Sequence, residues 1–312
     1  MTPALLRLLL TDDPTAQPCD TVTAWWEQYL DLEPAWPRPV ERAIVGGYCA
    51  DRVGWAFASA YQAALRALVP TVAADRVTAL CVTEEQGTAP RAMHTTLTDD
   101  GAGGFFLSGA KRWTTLGPDG GLFLVAARDG RSGGERPVIR LVQVPADTAG
   151  LQIQPMPPTA FVPEVPHARL HFDRVALPAA ALLPGDGYSR YVKPFRTVED
   201  LHVHAGVLAY LVRESRRLAW PRQWTERAVA ALLAFSTTAE LDPAAATTHV
   251  ALAGTMALGE QLVAEADSHW GSTSNAAADP SAAARWQRDR KLLTLAAQAR
   301  AARIEKAWTE LA

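Results

Sequence analysis

The chain has 312 residues and a formal net charge of -3, and this length allows two or three compact units with a large core. Because no basic run stands out, we expect neither nucleic acid nor an anionic membrane surface as a partner. Cys19, Cys49 and Cys81 lack C-x-x-C spacing, which argues against a metal or disulfide framework and fits a reducing cytoplasm. No apolar run is long enough to span a bilayer, and the apolar start ending at Asp12 has no cationic region, so we expect no signal peptide.

Residues 1–76 predict a helical N-terminal domain with interruptions. The spacing of Val22, Trp25 and Tyr29 places them on one face of a helix. Three prolines between positions 34 and 39 then break the chain, because proline cannot donate a hydrogen bond within a helix. A second helix is predicted over residues 51–68.

Residues 77–184 predict a β domain. Its segments are short, rich in β-formers and bounded by Gly, Pro or Asp, which favours a small antiparallel sheet or a barrel-like domain. The predicted strands are 80–83, 104–113, 122–127, 138–144, 151–155 and 168–172. The glycine-rich stretch 128–137 is predicted as a solvent-exposed hairpin loop.

Residues 185–312 predict an up-and-down bundle of four helices, so the fold class is α+β. Apolar residues recur at three- and four-residue intervals in the first predicted helix, and the last is long and rich in Ala and Arg. These helices are 197–218, 220–235, 243–266 and 281–311, with a polar loop at 271–280. Thr197 is expected to cap the first of them, with Asp200 three residues on approximating a capping box.

The stretch 80–117, LCVTEEQGTAPRAMHTTLTDDGAGGFFLSGAKRWTTLG, carries the most chemistry. Its turn-rich backbone and the hydroxyls of Thr83, Thr88 and Thr115 can hydrogen-bond a planar polar ligand while Trp113 covers the apolar face. That combination suits a flavin ring. The alternative is a β-hairpin in which Trp113 simply fills a core.

The same stretch resembles the acyl-CoA dehydrogenase family, in which a T-E-x-x-x-G-S-type loop opens the middle domain and a G-x-K-x-W-[IS]-[TS]-x-G strand follows. Thr83 and Glu84 match the start of the loop. The residues that match the strand are Gly109, Lys111, Trp113, Thr115 and Gly117. Residues 172–187, FDRVALPAAALLPGDG, match the exit from that domain, so the chain is identified as a shortened, divergent member.

The resemblance implies FAD as the cofactor, held between the β domain and the helical bundle. It implies Thr83 and Thr115 as flavin hydrogen-bonding residues, Trp113 as the residue covering the ring, and Thr88 as a substitute for the loop serine. It also implies an acyl-CoA or acyl-carrier thioester substrate, an electron-transfer flavoprotein or other electron acceptor, and pairing through the bundle into a homodimer or homotetramer.

The position of the catalytic base departs from the family pattern. In most members a glutamate follows an R-D motif, which Arg288 and Asp289 match, but counting onward places Ala297 at that position. A minority of the family carries the glutamate at the start of the first bundle helix, where alignment places Glu199. The alternative makes Glu199 a first-turn acid that interacts with the helix N-terminus.

One further feature of the family is altered. The paired glycines that receive the adenosine part of a neighbouring subunit's FAD are replaced by His-Trp-Gly-Ser at 269–272.

The leading hypothesis is an FAD-dependent oxidation of an acyl thioester at Cα–Cβ. The alternatives are a non-catalytic relative that acts as a binding or assembly partner, and a flavin-dependent monooxygenase of the same fold.

Overall fold

The computed structural model of the chain describes residues 1–13, 16–32, 34–131, 137–272 and 279–312. The predicted loops 128–137 and 271–280 therefore lie partly outside the described residues. The chain divides into two compact units. The helical unit contains Met1–Ala67, Ala160–Glu164 and Thr197–Ala312, and the β unit contains Leu68–Thr159 and Val165–Arg196. The first and last predicted domains thus share one unit, and the division at 1–76, 77–184 and 185–312 stays a prediction.

Among the described residues 1–13, 16–32 and 34–68, the N-terminal part of the helical unit has four helices: α1 (Pro3–Thr11), α2 (Val22–Leu32), α3 (Pro39–Cys49) and α4 (Val53–Leu68). The predictions for α2 and α4 are confirmed. The prolines hid α3 from the sequence pattern, because Pro39 does not break a helix but occupies its first position, where no N–H is needed.

The later helices are α5 (Lys193–Arg217), α6 (Arg222–Thr238), α7 (Ala246–Trp270), α8 (Pro280–Asp289) and α9 (Ala297–Leu311). The predicted last helix, 281–311, is therefore wrong as a single element. A 3₁₀ turn and the left-handed backbone of Ala296 (φ 59°) separate α8 from α9. The Arg300 guanidinium stabilises this break, because it donates to the carbonyls of Leu293 at 2.8 Å and Leu295 at 2.5 Å.

Helix α5 packs on the N-terminal helices through glycine. A Cβ placed on Gly47 of α3 would lie 2.0 Å from the carbonyl oxygen of Gly206 on α5. Gly206 in turn approaches Ala60 of α4, with 3.0 Å between an added Cβ and the alanine methyl. The absence of side chains lets the three backbones meet at a distance that no larger residue permits. Across the described ranges, no helix is both long and apolar enough to cross a membrane.

Within the residues that the structure describes, the β unit contains seven strands: β1 (Thr78–Cys81), β2 (Thr96–Asp99), β3 (Phe105–Thr115), β4 (Leu122–Asp129), β5 (Ile139–Pro145), β6 (Leu151–Pro155) and β7 (His167–Leu177). Their order in the sheet is β1-β4-β2-β3-β7-β6, with β5 beside β4. Most pairings are antiparallel, as predicted, but β4 runs parallel to both β1 and β2. The four-residue strand β2 was not predicted from the sequence.

The core of the β unit is built from alternating side chains of these strands. Along β7, Ala168, Leu170 and Phe172 are buried while Arg169 and His171 are exposed. This alternation is typical of a sheet with one face on the core and one toward solvent. The α+β fold class predicted from the sequence is confirmed.

Candidate functional site

Two links join the segment after β1 to the middle of β3. The Arg112 N–H donates to the Thr83 carbonyl at 2.9 Å. The Lys111 ammonium donates to the Glu84 carboxylate at 2.7 Å and to the Val82 carbonyl at 3.3 Å. The loop motif and the strand motif therefore meet in space, and Thr83 lies beside the strand that carries Trp113.

The Glu84–Lys111 ion pair is buried, with 6% of the Glu84 side chain exposed and none of Lys111. Glu84 also accepts from the backbone N–H groups of His94 at 2.6 Å and Thr95 at 3.0 Å. Burial pushes the pKa of Glu84 upward, but Lys111 and these amides outweigh it and hold the pKa below its usual range. Sequence reasoning assigned these two residues no role, although both belong to the matching motifs.

Trp113 lies in a β-bulge. The register of β3 against β7 shifts between Lys111 and Thr114, and Trp113 has the left-handed φ of 58°. Its side chain is 45% exposed, and the Arg112 guanidinium lies 5.3 Å from the ring centroid. The alternative that Trp113 fills a core is therefore wrong. A bulky residue at positive φ carries strain of roughly 1–3 kcal/mol, so the fold holds this ring outward at an energetic cost.

Thr115 ends β3 two residues beyond the tryptophan and pairs in register with His167, the first residue of β7. The Thr115 hydroxyl lies 3.5 Å from Nε2 of His167, a long hydrogen bond. The His167 ring also meets Trp113 nearly edge-on, with 6.1 Å between ring centroids and 74° between planes. Burial lowers the pKa of His167, and a hydrogen bond to the Val165 backbone opposes this only in part.

Thr88 lies apart from this group. Glu84 and Gly87 exchange backbone hydrogen bonds of 3.0 and 3.1 Å and close a tight turn, and Thr88 follows that turn with an exposed side chain. The structure thus brings Thr83, Trp113 and Thr115 onto adjoining segments and leaves Thr88 at the surface.

The two glycines of the strand motif serve close packing. Gly109 has φ of 139°, and a Cβ there would lie 2.6 Å from the Cα of Thr95. A Cβ on Gly117 would lie 2.6 Å from the Ala168 methyl, next to His167. Any larger residue at either position would displace β2 or β7, so these glycines fix the strands around the bulge.

Glu199, the predicted base, is half-buried on α5. Helix α5 begins at Lys193, so Thr197 is not its cap and Glu199 does not lie in its first turn, contrary to those two expectations. Asp200 is not a capping residue either. It accepts from Arg303 at 2.9 Å and from Arg300 at 3.4 Å, and these ion pairs tie α5 to α9.

The R-D motif has a structural role in the helical unit. The buried Asp289 carboxylate receives two hydrogen bonds from Arg288, at 2.6 and 2.7 Å, and one from the Val162 N–H at 2.7 Å. Val162 has φ of 43°, which is strained for a β-branched residue. Asp289 therefore holds the segment Ala160–Glu164 in an unfavourable backbone conformation.

Glu164 ends that segment, with 10% of its side chain exposed. Its Oε2 accepts from Arg288 at 3.4 Å, while its Oε1 is buried and makes no hydrogen bond within the described residues. Burial raises the pKa of Glu164 above its usual range, and Asp289 adds to this while Arg288 and Arg52 oppose it. Sequence reasoning missed this carboxylate because a lone glutamate between prolines gives no signal of burial.

Ala297 is exposed at the first position of α9, so no carboxylate stands where most of the family places its base. Glu305, two turns further along α9, is exposed as well. At the end of α7, Trp270 is buried and meets Trp220 edge-on at 5.7 Å, so its ring is engaged in the core of the helical unit.

The β unit fits one face of a flat heterocycle. It presents an exposed tryptophan ring, a threonine hydroxyl and a turn of backbone on adjoining segments. An aromatic face with hydrogen-bonding groups around it suits an isoalloxazine, which is apolar on its faces and polar along one edge.

The β unit is similar to a known domain family. Residues 79–175 match the family model for the acyl-CoA dehydrogenase middle domain, whereas no curated protein matches the chain. Among solved structures, butyryl-CoA dehydrogenase from Megasphaera elsdenii is similar, with a TM-score of 0.69 and 16% identity over 91% of this chain and 85% of that one.

Two other structures have comparable similarity. A probable acyl-CoA dehydrogenase from Mycobacterium abscessus has a TM-score of 0.65 and 16% identity over 98% of this chain and 99% of that one. The FAD complex of PigA has a TM-score of 0.67 and 12% identity over 93% of this chain and 90% of that one. Residues 79–175 therefore belong to the acyl-CoA dehydrogenase middle-domain family, and the chain has the acyl-CoA dehydrogenase fold.

Proposed function

We propose that this chain is an FAD-dependent oxidoreductase that oxidises an acyl thioester between Cα and Cβ. The observation that carries the proposal is Trp113, which is 45% exposed at φ 58° beside the hydroxyl of Thr115. Strain of this kind persists only where the surrounding fold enforces it, and it is concentrated at binding and catalytic sites.

In this proposal Thr83 and Thr115 hydrogen-bond the flavin edge, Trp113 covers one face of the ring, and Thr88 approaches from the exposed turn. The buried pair of Glu84 and Lys111 holds the Thr83 segment against β3. When bound, the flavin supplies a hydride acceptor.

Glu199 is the proposed general base that removes the α-proton of the thioester. Glu199 is half-buried on α5, and a carboxylate is one of the groups that can accept a proton in such a step. Its neighbour Asp200 is neutralised by Arg300 and Arg303 and does not compete for this role.

We further propose that the thioester is carried on CoA or on a carrier protein. An electron-transfer flavoprotein, or another acceptor, would reoxidise the cofactor. We also propose a homodimer or homotetramer, which light scattering of the purified protein measures directly.

The first test is the visible absorption spectrum of the purified chain, before and after addition of FAD. A flavin spectrum that bleaches under anaerobic conditions on addition of an acyl-CoA supports the proposal. The proposal is refuted if the protein is colourless after FAD has been added and the unbound FAD has been removed by gel filtration.

The second test compares Glu199→Gln with Glu305→Gln, a matched loss of charge at an exposed site of the helical unit. Loss of a general base slows proton transfer by about 10²–10⁴-fold, so Glu199→Gln should bleach slowly and Glu305→Gln normally. Equal bleaching rates in the two variants would remove Glu199 from the mechanism.

The exposed Ala297 favours a second candidate function that needs no carboxylate there. One form is a flavin-dependent monooxygenase, and the other is a non-catalytic binding or assembly partner. Substrate-dependent hydroxylation after reduction by a partner reductase identifies the monooxygenase. A chain that binds flavin but neither bleaches nor consumes oxygen fits the non-catalytic partner.

A further inference from the structure

The polarity of the Thr115 hydroxyl is set by His167. Thr115 and His167 are cross-strand partners, and the hydroxyl oxygen lies 3.5 Å from Nε2 of the ring. A threonine hydroxyl carries one proton and two lone pairs, so whichever role it takes toward His167 limits what it can offer to a ligand.

His167 is neutral near pH 7, because burial lowers its pKa and the Val165 backbone only partly compensates. The Val165 backbone favours the protonated ring, so it accepts from a ring N–H of His167. We assign that hydrogen to Nδ1, which leaves Nε2 with the lone pair that accepts from Thr115. The charged side chains of the neighbouring segments, Arg112 and Arg169, both pair with Glu85, at 2.6 and 3.8 Å. Asp119, in the turn packed on β7, has its own pKa raised by burial.

Because its O–H group donates a hydrogen bond to His167, Thr115 offers only lone pairs to a bound ligand. Reduction of a flavin turns ring nitrogens that accept hydrogen bonds into N–H donors. An acceptor-only hydroxyl therefore matches the reduced ring and not the oxidised one.

We propose that His167 is a positioning residue that holds the Thr115 hydroxyl as a hydrogen-bond acceptor toward the cofactor, and so favours reduced over oxidised flavin. This inference rests on the proposed function. The edge-on contact of the imidazole with Trp113, at 6.1 Å, places the same residue against the ring-covering side chain as well.

The test measures the dissociation constant for oxidised FAD and the two-electron midpoint potential in wild type and in His167→Phe. The phenylalanine keeps an aromatic ring beside Trp113 but cannot accept a hydrogen bond. The Thr115 hydroxyl can then donate to oxidised flavin. The ratio of affinities for reduced and oxidised FAD should fall about tenfold, the scale of one hydrogen bond. That ratio corresponds to a midpoint potential about 30 mV more negative.

His171→Phe is the matched control, because His171 is exposed on the same strand. It should leave the midpoint potential unchanged. Thr115→Val should lower the potential by itself, and the double variant His167→Phe/Thr115→Val should equal Thr115→Val, since His167 acts through the hydroxyl.

Relative to free FAD at the same pH, the preference of wild type for reduced flavin should decrease as the pH falls and His167 becomes protonated, and His167→Phe should lack that dependence. A wild-type chain that binds no FAD overturns the proposed function and this inference together. A chain that binds FAD, with equal potentials in wild type and His167→Phe, overturns the inference alone. The inference is also overturned if His167→Phe shifts the midpoint potential as much in the Thr115→Val variant as it does in wild type.

Discussion

Replacement of Lys111 by methionine should destabilise the β unit strongly. The substitution keeps an unbranched side chain of similar length but removes the ammonium that donates to Glu84 at 2.7 Å and to the Val82 carbonyl at 3.3 Å. Glu84 is left as a buried carboxylate held by two backbone amides, those of His94 and Thr95.

The magnitude follows from burial. None of the Lys111 side chain is exposed and only 6% of Glu84, so water cannot replace the lost partner. Loss of one partner of a buried pair costs about 3–5 kcal/mol, because an uncompensated charge remains in a region of low polarity. The double variant Lys111→Met/Glu84→Gln should cost less than the sum of the two single changes, since the buried charge is then removed as well.

Urea denaturation followed by far-ultraviolet circular dichroism and by tryptophan fluorescence measures this loss. Arg227→Met is the matched control, because Arg227 and Glu265 form an ion pair whose side chains are 55% and 40% exposed. That variant should be indistinguishable from wild type, since exposed pairs contribute little. The reasoning fails if Lys111→Met unfolds within about 0.5 kcal/mol of wild type, a range typical of surface substitutions.

Three further outcomes are expected. Trp113→Ala should weaken FAD binding about 3–10-fold in a fluorescence titration, because alanine cannot cover the ring; an unchanged affinity would exclude Trp113 from that role. Asp289→Ala should lower the free energy of unfolding, measured in urea, by about 1.5–3 kcal/mol, because the buried Val162 N–H loses its acceptor. An unchanged free energy of unfolding would contradict the role of Asp289 in restraining Val162. Glu164→Gln should raise the melting temperature at pH 8 and not at pH 4. The native pKa of Glu164 lies above its unfolded value, so the charged form opposes folding as the pH rises through the native pKa; a pH-independent difference would disprove this.

Local patterns predicted the elements whose signal is strong. Helix α2 followed from the spacing of Val22, Trp25 and Tyr29, and the strands followed from short β-forming runs between turn residues. The same patterns did not predict α3 or β2. Pro39 begins α3 instead of ending a helix, and β2 has only four residues.

The proposed cofactor residues come from the resemblance of three ordered motifs to one family. That resemblance implied Thr83, Thr88, Trp113 and Thr115 but gave no role to His167, Glu164 or the Glu84–Lys111 pair. The first two carry no motif at all. Glu84 and Lys111 do belong to the motifs, but their role as a buried ion pair joins segments 27 residues apart in the chain.

The sequence by itself determined the α+β class, the order of helical and β regions, and the family to which the middle of the chain is related, because periodicity and motif spacing are local properties. Only the tertiary structure decided that Trp113 faces outward, that Asp200 binds α9 instead of capping α5, and that Asp289 restrains Val162. Burial, strain and ion pairing depend on residues distant in the chain, and their energies arise only when folding brings those residues together and excludes water.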